Sequence, residues 1–273
     1  MRPAARRAAG RHAMAAPRLA GVLLAASVGA VVAPATASAQ DASAQGDAPL
    51  IGDRPDFTES PNAVPRLQIE GGYTLTRVAE STDHALGELL LRIPLAPRLE
   101  GRIGLGSFVS LDEGDGPSGY AGSSLGLKWQ VASAAGAMPD LGVLLATTLP
   151  TGASGLGADE WIPEVRVAAA WDGPVSLSAN AGVARPVAGT TRFTEFLASL
   201  AAGVGVGSHG GAFLELYAIA SDGDLADDRA FVDGGVTWLL TPDFQVDARV
   251  GASLDGGLDG TEYTAGVGFV VRR

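Results

Sequence analysis

Ala230–Ser253 reads AFVDGGVTWLL, then TPD, then FQVDARVGAS. In the first run Ala230, Val232, Gly234, Val236, Trp238 and Leu240 fall on one parity, and Asp233, Gly235 and Thr237 on the other. In the second, Phe244, Val246, Ala248, Val250 and Ala252 alternate with Gln245, Asp247, Arg249, Gly251 and Ser253. Successive side chains of a strand point to opposite faces, so strict alternation marks a strand with one apolar and one polar face. Thr241-Pro242-Asp243 has the composition of a tight turn. The unit is a hairpin whose arms, about ten residues each, have the length that crosses a bilayer as tilted strands. Repeated along the chain, it predicts an all-β fold: a transmembrane, antiparallel, up-and-down β-barrel with lipid outside and water inside.

The same alternation recurs. It predicts strands at Leu67–Arg77, about His84–Leu95, Leu99–Leu105, Gly119–Val131, Leu141–Leu149, Ile162–Trp171, Val175–Ala184, about Glu195–Val206, Ala212–Ala218 and Thr261–Val271. With the opening hairpin these make twelve. Leu86 and Leu90 break the polar parity of the second strand, which holds His84, Glu88 and Arg92. Connections after even strands are mostly short (APR, DGP, GSHG, TPD), and most of those after odd strands are longer and acidic or glycine-rich. Short periplasmic turns and longer outer loops are the rule for such barrels. Outward aromatics fall near strand ends. Trp129, Trp171, Trp238, Phe244 and Phe269 are expected at the periplasmic boundary, and Tyr73, Tyr120, Phe196 and Tyr263 at the outer one, where amphipathic rings belong. A soluble β-sandwich would bury its apolar faces against a second sheet and gives no reason for these girdles.

The start of the chain reads as an address. Arg2, Arg6, Arg7, Arg11 and Arg18 precede the apolar run Leu19–Ala33, and Ala37-Ser38-Ala39 offers a cleavage site. The run is shorter than the roughly 20 residues a spanning helix needs, so residues 1–39 are expected to be a cleaved signal peptide. Residues 40–62 form a polar lead with three prolines, and 63–273 the barrel. Five of the 19 basic residues and none of the 30 acids lie in 1–39, leaving 14 against 30, a net charge of −16. That balance argues against a nucleic-acid partner, and the absence of cysteine excludes a disulfide scaffold.

The segment Asp53–Arg77, DRPDFTESPNAVPRLQIEGGYTLTR, resembles the start of the outer-membrane transporter family of the meta-pathway of phenol degradation. RPDFTESP, the Val-Pro step and the IEGG strand ending Thr-x-Thr-Arg carry the likeness. LPTG at Leu149–Gly152, Asp233-Gly234-Gly235-Val236, the Leu-Leu-Thr-Pro-Asp turn, Gln245-x-Asp247-x-Arg249 and a closing GVGF extend it over essentially the whole mature chain. The resemblance implies an outer-membrane barrel that passes small molecules. Its partners would be outer-membrane lipid, small solutes and the outer-membrane assembly machinery. One departure stands out: the chain ends Phe269-Val270-Val271-Arg272-Arg273 rather than on an aromatic residue.

The inward face carries carboxylate-x-arginine pairs, Glu100/Arg102, Glu164/Arg166 and Asp247/Arg249, because residues two apart on a strand share a face. Glu70, Glu88, Arg92, Lys128, Glu215 and Asp233 complete a charged lining. Two readings stay open: charges on different walls create a transverse field that selects solutes, or they pair across the lumen and stiffen the barrel. Asp53, Arg54, Asp56, Phe57 and Glu59 could fold into the mouth as a plug, but a terminal arm hanging in the periplasm is the favoured expectation.

Acidic loops at Asp222–Asp228 and around Asp255 and Asp259 lack EF-hand spacing, so no metal or cofactor is assigned. Past the signal peptide the histidines are His84 and His209, and no GxSxG occurs. His84, placed inward, and His209, placed in a turn, do not suit the register an outer-membrane hydrolase needs, so no enzyme is expected. The expected function is passive passage of small aromatic or polar solutes. The alternative is a non-conducting structural or surface-interaction barrel.

Overall fold

The computed structural model describes residues 49–111, 118–223, 226–254 and 260–273. The expected signal peptide lies outside these residues, as do Asp112, Glu113, Asp115, Asp224, Asp255 and Asp259.

Sixteen strands follow one another among the described residues: β1 (Gln68–Val78), β2 (Ser81–Ala96), β3 (Leu99–Leu105), β4 (Phe108–Leu111), β5 (Ser118–Tyr120), β6 (Ser123–Ala132), β7 (Asp140–Thr148), β8 (Ile162–Trp171), β9 (Ser176–Ala184), β10 (Val187–Ala188), β11 (Thr191–Arg192), β12 (Glu195–Val206), β13 (Gly210–Ser221), β14 (Arg229–Thr241), β15 (Phe244–Ser253) and β16 (Glu262–Arg272). Every pairing is antiparallel. The wall runs β1, β2, β3, β6, β7, β8, β9, β12, β13, β14, β15, β16 and closes because β1 pairs with β2 on one side and β16 on the other. These are the twelve expected barrel strands. Closure leaves the twelve wall strands no open edge, the condition for a sheet to sit in lipid.

Alternation does the sorting. Leu125, Leu127, Leu200, Leu214, Leu216, Val236, Val250 and Val267 are exposed on the outer wall, while Glu70, Arg92, Glu100, Lys128 and Glu215 are buried within. A water-soluble fold shows the reverse. Trp129, Trp171, Trp238 and Tyr263 stand exposed on the same outer face.

Two elements depart from the simple pattern. The expected fourth strand is interrupted at Ala121-Gly122, giving β5 and β6, and the chain beyond β3 adds β4, which pairs back onto β2. Gly106 donates its backbone N–H to Gly122 O at 2.7 Å, and a Cβ on Gly106 would lie 2.3 Å from that oxygen. The close approach needs glycine.

In β2 the register against β1 shifts between Glu70 and Gly72, and Gly87 (φ 117) and Glu88 (φ 43) have positive φ. This is a β-bulge, one extra residue that re-aims the strand. It swaps the parity. Below it Arg92 stays inward opposite Gln68 and Arg102, and Leu90 shares that face. Above it Ala85 faces Thr74 on the inside, while Leu86 and His84 pair with Tyr73 and Leu75 on the outside. His84 is therefore not in the lumen. Its Nδ1 lies 2.7 Å from the Tyr73 hydroxyl on the outer wall.

Candidate functional site

The lumen is where the chain departs most from expectation. The lead segment does not hang free: residues 51–64 lie against the inner wall, held by side chains of β1, β2, β3, β6, β8, β9, β12 and β13. The physical reason is backbone satisfaction. An irregular segment inside a barrel must find partners for its N–H groups, and wall side chains accept them. Asp53 N donates to both Glu70 carboxylate oxygens at 3.1 Å. Phe57 N and Thr58 N donate to Glu215 at 2.7 Å each. Glu59 N donates to Asn180 Oδ1 at 2.8 Å, and Asn180 Nδ2 returns a bond to Glu59 O at 3.0 Å. Val64 N donates to Glu100 Oε2 at 3.0 Å. Prolines at 55, 61 and 65 remove three further donors.

Asp53 is the electrostatic centre of this seat. Its carboxylate lies 2.6 Å from Arg102 Nη1, 2.7 Å from Lys128 Nζ and 3.3 Å from Arg92 Nη1. The Arg92 and Lys128 side chains have no solvent exposure at all. Burial pushes the Asp53 carboxyl up, but Arg92, Lys128 and Arg102 outweigh it and hold it well below the usual carboxylate range. Glu59 reaches Arg102 Nη2 at 2.8 Å. Arg92 is shared further with Glu70 (2.9 Å) and Glu100 (2.8 Å), and Arg102 with Glu100 (3.0 Å).

Arg54 makes a second contact. Its Nη1 meets Glu88 Oε2 at 2.6 Å, so the bulge that upsets the parity of β2 also aims Glu88 at the lead segment. The guanidinium lies where Cβ atoms on Gly72 and Gly268 would be, 2.5 and 2.4 Å away. Gly142 makes room for Pro61 in the same way, its Cβ position 2.5 Å from Pro61 O. Phe57 stacks on Tyr217 with centroids 4.5 Å apart, Tyr217 on Phe231 at 4.7 Å, and Arg166 lies 4.9 Å over Phe57.

All twelve lining residues named from the sequence point inward: those above, together with Glu164 (2.9 Å from Arg166), Asp233 (3.7 Å from Arg249) and Asp247 (3.5 Å from Arg54 Nη2). Pairing within the wall and pairing to the lead segment both occur. Sequence reasoning missed Gln68, Asn180, Ser199, Tyr217 and Phe231, which hold or border the segment. The available signal was glycine on the inward parity, at Gly72, Gly142 and Gly268, marking where the lead segment comes close, by the Arg54 side chain at the first and last and by the Pro61 backbone at Gly142.

At the periplasmic rim Arg272 donates to Pro49 O (3.0 Å) and Pro242 O (3.1 Å) and meets Asp243 at 2.8 Å. Arg66 binds the same Asp243. The two terminal arginines are thus part of the barrel: Arg273 N donates to Leu67 O at 2.8 Å.

Residues 52–272 match the family model described as "Putative MetA-pathway of phenol degradation". No curated protein matches the chain. Among solved structures it is similar to an outer membrane channel from Pseudomonas putida F1, at 16% identity and TM-score 0.58, over 79% of this chain and 97% of that one. It is also similar to the NanC porin, at 9% identity and TM-score 0.56, over 76% and 99%. At these identities the likeness is one of fold.

Proposed function

The chain belongs to the family of the MetA-pathway of phenol degradation, and on that premise we propose an outer-membrane channel for passive passage of small polar or aromatic solutes. The observation that carries this reading is a polar, charged interior inside a closed barrel with an apolar outer wall. A solute exchanges part of its hydration for contacts with that lining and moves down its gradient, with no cofactor required. In this reading residues 53–59 act as a plug, and Arg92, Arg102, Lys128 and Arg166 belong to its seat as well as to the selectivity lining. The outward aromatics, among them Tyr73, Trp129, Phe244 and Phe269, anchor the barrel at the two interfaces. The outer-membrane assembly machinery is a further expected partner.

A non-conducting structural barrel is the second reading, and the depth of the plug's seat favours it at rest. Planar-bilayer recording separates the two. Deleting residues 40–62 is expected to raise single-channel conductance severalfold over the full mature chain. A deletion variant that folds and conducts no better than the full chain counts against the plug. If neither conducts, the barrel is not a channel.

A further inference from the structure

The plug fills the lumen unevenly. Its two pairing acids, Asp53 and Glu59, face the cations of β2, β3, β6 and β8. The opposite wall is acidic and incompletely satisfied. Glu215 of β13 stands directly across from Asp233 of β14 in the strand register, and like charges so placed repel. Glu215 is taken up by the plug's backbone, but Asp233 Oδ1 has no hydrogen-bond partner. Farther toward the periplasm Asp247 lies opposite Thr237, four residues along β14 from Asp233, a separation of roughly 13 Å along the strand. Neither Asp247 carboxylate oxygen has a hydrogen-bond partner. The two side chains are 3% and 0% exposed. The cations at hand are loosely placed: Arg249 Nη1 is 3.7 Å from Asp233 and Arg54 Nη2 3.5 Å from Asp247, and the Nε of each arginine also lacks a partner.

Buried polar atoms without protein partners are satisfied by water or ions. Glu215, Asp233 and Asp247, three carboxyls against two guanidiniums, bias such a space toward cations. We propose that a hydrated path runs past the seated plug along β13–β15, with Asp233 and Asp247 as two successive stations for a compact monovalent cation. Each station offers one free carboxylate edge rather than a closed cage, the weak, multi-site binding that conduction needs. Arg249, level with Gly235 in the register, stands between them as the barrier.

The inference rests on the channel reading, and its test is the reversal potential of the full mature chain in a potassium chloride gradient. The wild type is expected to prefer potassium to chloride. Asp233→Asn/Asp247→Asn should lower that permeability ratio severalfold, and Arg249→Gln should raise it. Heat-modifiable gel migration reports folding. If the double variant does not fold, Arg249→Gln carries the test. No potassium preference in the wild type, or an unchanged ratio in the folded variants, overturns the path. A silent wild type whose 40–62 deletion conducts overturns the path and keeps the channel. Silence in both removes the channel itself.

Discussion

Asp53 shows how one side chain can hold a segment in place. It pairs with three cations, two of them wholly buried, and breaking a buried pair by removing one partner costs about 3–5 kcal/mol. Asp53→Ala should therefore unseat the plug while leaving the barrel folded. Limited proteolysis of the detergent-solubilised protein should cut within residues 49–62 many times faster than in the wild type. The two plug acids respond oppositely to pH. The depressed Asp53 stabilises the docked state above its free-segment value, and that contribution is lost only as pH falls through its depressed docked value. Asp56 is the reverse: burial, then Glu215, Asp53 and Asp233, raise its carboxyl well above the usual range. Its contribution to docking is present below the free-segment value and is lost as pH rises through the raised one. Conductance should thus climb with rising pH, and Asp56→Asn should flatten that climb. At this scale the sequence showed which residues face inward. It did not show that they face a peptide, because each of these pairings joins residues far apart in the chain.

At the scale of elements, alternation revealed the twelve wall strands because a bilayer outside and water inside impose the same period on every one. It failed where a single residue was added. A bulge shifts the period by one, so Leu86 looked like an error and His84 like a lumen residue, when Leu86 and His84 both face outward beyond Gly87. Glu88→Ala removes the 2.6 Å contact with Arg54 without touching the wall pairing. Gly268→Val places side-chain atoms where the Arg54 guanidinium lies. Both variants should raise conductance, by less than full removal of residues 40–62, since Asp53 and Glu59 remain seated. Bilayer recordings of the two single variants beside the deletion provide the comparison. β4 escaped notice for another reason: at four residues it is too short to show a period.

For the whole molecule, the barrel and its plug are separable. The seam between β1 and β16 is paired from Gln68↔Arg272 to Val78↔Glu262 without a break, and no wall strand depends on the plug for its ladder. Loss of residues 40–62 should leave the heat-modifiable gel shift of the folded barrel in place; a chain that then migrates as unfolded would mean the plug is structural. Wall closure was legible in advance because every strand had two partners to find. The plug's location was not, since a proline-rich, charged segment reads equally well as a solvated tail.

The rim contacts also bear on biogenesis. Pro49 is held by Arg272, Arg54 lies against Gly72 of the first wall strand and Gly268 of the last, and Asp53 draws on β2, β3 and β6. The Pro49 and Arg54 parts of this seat come into being only when the first and last strands meet. The lead segment is therefore expected to complete its seat only once the seam between β1 and β16 has closed.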